Sequence, residues 1–378
     1  MTFWSILILC FGVGYFLFFR VVELGIILSW YRRNTKNNKT PFVSILVACK
    51  NEEKDLQRCV DSLVRLDYLS ENIEILLIDD QSSDRTPEIV KTSEKLHNQV
   101  KAYNTSAAPD THLKAKARAI SYGASKAKGD WLFIVDADAK VDPKWLKCML
   151  SGTDDKVGMI GGLIMTDEKG YFTVSALEKV SLAYTQPITA GAAGLGFPAI
   201  CSGPNMAIRR STYEDYGGLE KVDFDIAEDL ALARIVLDSG QKIKFYSLPE
   251  TVAYLKAPPS LKHLFSQQRR WITGGFEQSW KLWSGLAFVF GYHFILSWIL
   301  ILGWFVSIEA TLISLSFKLL SDFILLIVLK LQMKIPRLLR YTPLMFIYTL
   351  ATFIWLPLSL IFSKNINWKG EGYEVNYG

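Results

Sequence analysis

The sequence is short of cysteine and has no arrangement that would use it. Its five cysteines (Cys10, Cys49, Cys59, Cys148 and Cys201) are an odd number with no Cys-x-x-Cys pair. Neither a disulfide framework nor a zinc site is indicated, so a reducing compartment is the default. No Gly-x-Gly-x-x-Gly follows the first strand-like run. That argues against a dinucleotide oxidoreductase, and the lack of a Walker A lysine motif argues against a nucleoside triphosphatase. There is no internal repeat and no low-complexity tract. The opening Met-Thr-Phe-Trp lacks the basic region with which a secretory signal peptide begins.

What is present is a mixture. Half of the 378 residues are hydrophobic and 13% are aromatic, yet 21% are charged. This is too polar for an all-membrane bundle and too apolar for a simple cytosolic enzyme. The apolar residues concentrate in 3–30 and 283–363. About 250 residues lie between, enough for one sizeable domain with its own core. The net charge of +5 does not point to nucleic acid. Much of the basic excess flanks the apolar segments, where membrane lipids with anionic head groups are the fitting partner.

Phe3 to Phe19 carries no charge, and apolar character continues past Arg20 and Glu23 to Trp30. Three residues apart, Arg20 and Glu23 would be neighbours on a helix. Cations come afterwards, at Arg32, Arg33, Lys36 and Lys39. The pattern predicts a retained anchor over 1–31 with its C-terminal end in the cytoplasm. Further candidates lie at 286–308, 311–329 and 342–363. The outer two are long enough to span a bilayer. The middle one carries Lys318 and Asp322 and suits either a span or an interfacial position. The connector 330–340 carries Lys330, Lys334, Arg337 and Arg340, which predicts a cytoplasmic location.

From residue 41 short apolar runs alternate with helical patterns. Val43–Cys49, Ile73–Ile78, Val100–Tyr103 and Trp131–Val135 read as strands. Lys54–Leu66, the stretch after Asp84, and Lys114–Lys128 read as helices. Continuously apolar strands separated by helices predict a parallel sheet covered on both faces. Ligands of such sheets bind beyond the carboxyl ends of the strands. Asp79, Asp80, Asp136 and Asp138 all fall at such ends.

Each motif has a plain reading beside a chemical one. Asp79-Asp80-Gln81-Ser82-Ser83-Asp84 suits a helix N-cap cluster, or a carboxylate accepting the imide N–H of uracil. Asp136-Ala137-Asp138 suits a strand-end turn, or a hard cation held by one or two carboxylates and a diphosphate. Lys114, Lys116 and Arg118 suit a solvated helix face, or, for Lys116, a nucleotide contact. Ser202-Gly203-Pro204-Asn205-Met206 makes a turn, or lines a sugar or acceptor pocket. Glu228-Asp229 opens a helix, where the dipole favours acids without any function; a carboxylate is also a common base for a sugar or lipid hydroxyl. Gln267-Gln268-Arg269-Arg270-Trp271 suits a snorkelling basic face with an interfacial Trp. Its arginines can also neutralise a leaving diphosphate, and its Trp can stack on a sugar or an acceptor.

Taken in order, these motifs resemble glycosyltransferase family 2 with the GT-A fold, especially membrane-bound members such as ceramide or glycolipid glycosyltransferases and hyaluronan- or cellulose-type synthases. Asn51-Glu52-Glu53, Asp79-Asp80-Gln81-Ser82, Asp136-Ala137-Asp138, Glu228-Asp229 and Gln267-x-x-Arg270-Trp271 carry the resemblance, over about residues 41–280. Trp368-Lys369-Gly370 is similar to an element after the last helices of many relatives. Two departures are Gln81 for the usual Gly and Ala227 where many polysaccharide synthases have Thr. The resemblance implies an α/β GT-A domain (Rossmann-like, mostly parallel sheet) over 41–258, an amphipathic interface helix over 259–282, membrane helices over 283–363 and a tail over 364–378. It implies an inverting, metal-dependent transfer from a nucleotide sugar, expected to be UDP-linked, to a hydroxyl of a membrane lipid, or alternatively processive polysaccharide synthesis. Asp229 is then the general base. Asp79, Asp80, Lys116 and Asp136 contact the nucleotide, Asp138 binds Mg²⁺ or Mn²⁺, and Arg270 faces the diphosphate. Gln267, Trp271 and Glu228 face the lipid or glycan acceptor. The expected setting is a bacterial cell membrane with the catalytic domain cytoplasmic.

Overall fold

The structure, a computed structural model, describes residues 2–374 except 32–39, 167–169, 172, 198–200, 223–226, 276–279, 336, 363–364 and 369–370. The cations Arg32, Arg33, Lys36 and Lys39, and Lys369 and Gly370 of the tail motif, therefore lie outside the described residues.

In chain order the elements begin with helix α1 (Phe3–Tyr31), strand β1 (Val43–Cys49), α2 (Leu56–Leu63), β2 (Ile73–Asp79), α3 (Thr86–Leu96) and β3 (Val100–Asn104). Next come α4 (Ala115–Lys126), β4 (Trp131–Asp136), α5 (Trp145–Leu150), β5 (Val157–Gly162), β6 (Ile164–Thr166) and α6 (Val174–Leu195). Then follow β7 (Asn205–Arg209), α7 (Arg210–Tyr216), α8 (Glu228–Asp238), β8 (Lys242–Tyr246), β9 (Ala253–Leu255) and α9 (Leu261–Gly275). Helices α10 (Trp280–Leu302), α11 (Ile308–Met333) and α12 (Thr342–Phe362) precede a hairpin of β10 (Asn365–Trp368) and β11 (Glu371–Glu374).

Seven strands make one sheet in the order β3-β2-β1-β4-β7-β5-β8. Strands β1 to β4 are mutually parallel, as their continuous apolar runs predict, and nearly every residue of β1, β2 and β4 is buried. Strand β7 enters antiparallel between β4 and β5, so the sheet is mostly rather than wholly parallel. The parallel register sets Cys49 beside Asp79 and Ala48 beside Asp136. The carboxyl ends of β1, β2 and β4 are thus level, and the loops after them share one edge.

Among the described residues, four helices are long and apolar enough to cross a membrane: Phe3–Ser29, Ala287–Phe305, Ile308–Met333 and Leu338–Ser359. The middle candidate, α11, is one continuous helix, and its two charges answer each other. Lys318 Nζ lies 2.6 Å from Asp322 Oδ2 and 2.9 Å from Thr349 Oγ1 of α12. Tyr15 of α1 donates to Asp322 Oδ1 at 2.5 Å, and its hydroxyl is 3.0 Å from that of Tyr184 on α6. Ionisable groups at such depth are tolerated when paired inside the bundle.

Helix α6 ties the sheet to this bundle, packing against both α1 and α12. Gly191 and Gly194 meet Gly25 of α1 so closely that a Cβ on Gly25 or Gly194 would overlap the opposing backbone. Small residues at such crossings let two helix backbones touch.

Candidate functional site

The turn after β2 is built by the loop after β1. Asn51 Oδ1 accepts from Ser83 N at 2.9 Å, and its own N–H reaches Ser82 Oγ at 3.0 Å. Glu52 and Glu53 donate their N–H groups to Thr86 Oγ1 and Asp84 Oδ2 at 2.8 and 3.1 Å. Gln81 takes φ +57°, the left-handed region that favours glycine. The turn closes nonetheless, because Asp79 Oδ1 accepts from Ser82 N at 3.2 Å.

This turn separates the two adjacent aspartates. Asp79 is spent on structure: its second oxygen accepts from Asn104 Nδ2 at 2.7 Å, and it does not line the cavity described below. Asp80 does line it. Its Oδ1 accepts from Arg118 at 2.6 and 3.0 Å and from Thr105 Oγ1 at 2.8 Å. Lys50 Nζ stands 3.6 Å from Oδ2. Arg118, noted in the sequence only as one cation on a helix face, is therefore the group that orients Asp80.

Across the edge, Lys116 of α4 joins β4 to α8. Its ammonium is 2.6 Å from Asp136 Oδ1 and 2.8 Å from Glu228 Oε1. Burial alone would lower its pKa, but Asp136 and Glu228 outweigh burial and raise it well above the ordinary lysine value. Asp229, next along α8, receives Gly203 N at 3.0 Å and Leu230 N at 2.9 Å. Burial, then the neighbouring Glu228 charge, push its pKa up to about 6, against the pull of Lys116 and the two amides. The Ser202–Met206 segment thus steadies Asp229 through Gly203. Asn205, deeper in, holds Trp145 Nε1 at 2.9 Å and two backbone carbonyls.

Asp80, Lys116, Asp136, Asp138, Glu228, Asp229, Gln267, Arg270 and Trp271 all line a single cavity of about 1230 Å³. Asp79 stays outside it, as do Asn205, Met206 and Arg269 of the other motifs. Ala227, the other departure from the motif pattern, precedes α8 at the cavity wall. The cavity runs on past α9 to Phe290 and Phe294 of α10 and to Phe353 and Leu356 of α12. Helix α6, which the sequence reading did not identify, supplies Ser181, Tyr184 and Ile188 to this wall.

Asp136 and Asp138 offer carboxylate oxygens, which suit a hard cation. Among the described residues no three His, Cys, Asp or Glu side chains are gathered to hold a metal unaided.

Comparison with known proteins agrees with this architecture. A model of glycosyl transferase family 21 matches residues 8–378. This corrects the resemblance to family 2: the diagnostic motifs fall within 51–271, whereas the match also takes in the membrane helices on both sides. Over 247 residues the chain is 28% identical to "Probable glycosyltransferase YdaM" of Bacillus subtilis, covering 65% of this chain and 57% of that protein. Over 270 residues it is 28% identical to "Beta-monoglucosyldiacylglycerol synthase" of Trichormus variabilis, covering 69% and 55%. The matched regions span little more than half the length of these relatives. A solved mannosyltransferase, PcManGT from Pyrobaculum calidifontis in complex with GDP-Man and Mn²⁺, superposes with a TM-score of 0.54 at 15% identity, covering 92% of this chain and 99% of that one. The shared fold is of the GT-A type.

Proposed function

The chain belongs to glycosyl transferase family 21, and on that premise we propose that it transfers a sugar from a nucleotide sugar to the hydroxyl of a membrane lipid, with inversion at the anomeric carbon. The observation that carries this reading is the continuity of the cavity. The same space touches the carboxylates of β4 and α8 and the apolar side chains of α10 and α12. A lipid can therefore keep its chains among Phe290, Phe353 and Leu356 while its head reaches Asp229. A hydrated polymer would gain nothing from those walls, so processive synthesis is the lesser reading. Kinship to a protein named as a glucosyldiacylglycerol synthase supports a lipid acceptor.

Asp229 takes the proton from the acceptor hydroxyl as its oxygen attacks the anomeric carbon, opposite the departing diphosphate. A carboxylate held near pKa 6 is basic enough for this and is ionised at neutral pH. Asp80, oriented by Arg118, accepts a hydrogen bond from the nucleobase. Asp136 and Lys116 border the nucleotide, and Glu228 keeps Lys116 in position between β4 and α8. Asp138 is the residue to hold Mg²⁺ or Mn²⁺ together with the diphosphate, and the cation then supplies positive charge against the leaving group. Arg270 adds a second positive charge there. Gln267 and Trp271 border the acceptor. The C-terminal end of α1, the catalytic domain and the 330–340 connector are assigned to the cytoplasm by the positive-inside rule.

One experiment tests reaction and orientation together. Labelled UDP- and GDP-sugars are added outside sealed inside-out and right-side-out vesicles containing the protein. Label is expected in the organic phase, from inside-out vesicles only, and abolished by chelator. Label in a high-mass polymer would refute the lipid reading. Equal labelling by both orientations would refute the topology.

A further inference from the structure

The two carboxylates at the end of β4 sit on a turn, and a turn does not by itself fix where its side chains point. Ala139 N closes it on Asp136 O at 2.9 Å. Ala137 and Ala139 are buried, while Asp136 and Asp138 are partly exposed and line the cavity. Beyond the turn, Lys140 exchanges two backbone bonds with Tyr254 of β9, at 2.9 and 2.8 Å. The turn itself is gripped by α2. Arg58 Nη2 donates to the Asp138 carbonyl. The Cys59 thiol donates to the Asp136 carbonyl, 3.5 Å away. Ser62 Oγ accepts from Val141 N at 3.3 Å and donates to Cys59 O at 2.8 Å. Positions 58, 59 and 62 share one flank of a helix, so α2 meets the turn along a single face. The start of α2 is anchored in its turn, because Lys256 Nζ lies 2.8 Å from Asp55 Oδ1.

Arg58 brings the only charge among these three side chains, and a hydrogen bond from a charged donor is the stronger kind. It does not line the cavity, yet its bond ends on the residue proposed to hold the cation. We infer that Arg58 is a positioning residue. By holding the Asp138 carbonyl it fixes the turn, keeps the Asp138 carboxylate directed into the cavity, and so sets the affinity for a divalent cation shared with a nucleotide diphosphate. Groups one step out from a metal ligand typically account for about 10–100-fold in metal affinity. The guanidinium is planar and rigid, so a lysine ammonium is an incomplete substitute.

This inference rests on the proposed metal role of Asp138, and the test keeps the two apart. Uptake of Mn²⁺ by the purified full-length protein is followed from the loss of the free-ion EPR signal, with UDP present at saturation. Arg58→Met is expected to weaken Mn²⁺ binding by about tenfold or more. Arg58→Lys keeps the charge without the planar fork and is expected to fall between Arg58→Met and the wild type. Unchanged Mn²⁺ affinity in Arg58→Met overturns the inference, and a lower thermal midpoint beside it makes Arg58 a contact of the fold only. An equal loss of UDP binding measured in chelator also overturns it, since the whole site has then given way. Should Arg58→Met fail to fold, Arg58→Lys decides: Mn²⁺ affinity below that of the wild type supports the inference, and wild-type affinity overturns it. If the wild type takes up no Mn²⁺, or Asp138→Asn takes it up unchanged, the metal role of Asp138 itself falls, and this inference with it.

Discussion

At the residue scale, the pairing of Glu228 and Asp229 shows how one helix terminus yields two different acids. Glu228 is paired with Lys116, while Asp229 receives two backbone amides in a buried setting that, with the Glu228 charge, raises its pKa to about 6. As the proposed base, Asp229 must be ionised to act. Transfer is therefore expected to fall about tenfold per pH unit below about 6 and to level off above it. Asp229→Asn should abolish that limb and lower turnover by roughly a hundredfold or more, with UDP inhibiting at a similar concentration. A pH–rate profile of both proteins checks this. The two adjacent aspartates after β2 should also part company. Asp80→Asn is expected to raise the nucleotide-sugar KM by about tenfold, the scale of one lost charged hydrogen bond. Asp79→Asn should leave that KM near its wild-type value and instead lower stability by about 1–2 kcal/mol, through the turn and Asn104. Thermal unfolding and donor-dependence kinetics separate the two. The sequence could not distinguish these neighbours, because their difference depends on Arg118 and Asn104, which arrive from other elements.

At the scale of elements, the sequence was most legible where one period ruled. The strands ending at Asp79 and Asp136 stood out as unbroken apolar runs, and their residues are buried on both faces. Helix α6 was not seen, and its surroundings explain why. Packed between the sheet domain and the bundle, it buries residues on most sides, contains Pro187, and is rich in Ala. No amphipathic stripe remains to betray it. The usable signals were Thr173 as an N-cap, accepting from Ala176 N at 3.2 Å, and the small residues Gly191 and Gly194. Strand β7 was missed for another reason: an antiparallel insertion is a matter of topology, and its local sequence reads like that of any buried strand. Helix α11 was ambiguous because Lys318 and Asp322 looked costly in isolation. Their pairing makes a prediction. Asp322→Asn strands a buried ammonium and should destabilise the protein by about 3–5 kcal/mol, whereas the double variant Lys318→Met/Asp322→Leu should recover most of that loss. Thermal unfolding in one detergent compares the three proteins.

For the whole molecule, the motifs gave the fold type and the general reaction, while the family followed from a match through all four apolar helices. On the proposed chemistry the carboxylates answer to a nucleotide sugar, whereas the family match also takes in the helices around them. That bundle is not a passive tether. The backbones of α6 and α1 touch at Gly25, Gly191 and Gly194, and the Tyr15 and Tyr184 hydroxyls meet further along the same two helices, so the sheet domain is fastened to the bundle at two levels. On the proposed lipid-acceptor reading, the molecule then works as a depth gauge. Asp229 is expected to meet hydroxyls at one height above the bilayer midplane and to pass over those higher or lower. Adding a sugar is expected to lift the next free hydroxyl out of register, so that the first transfer ends the sequence without any separate stop signal. Mass spectrometry of the product should accordingly find a single added sugar even after prolonged incubation with excess donor, and a ladder of longer products would mean that the gauge slips.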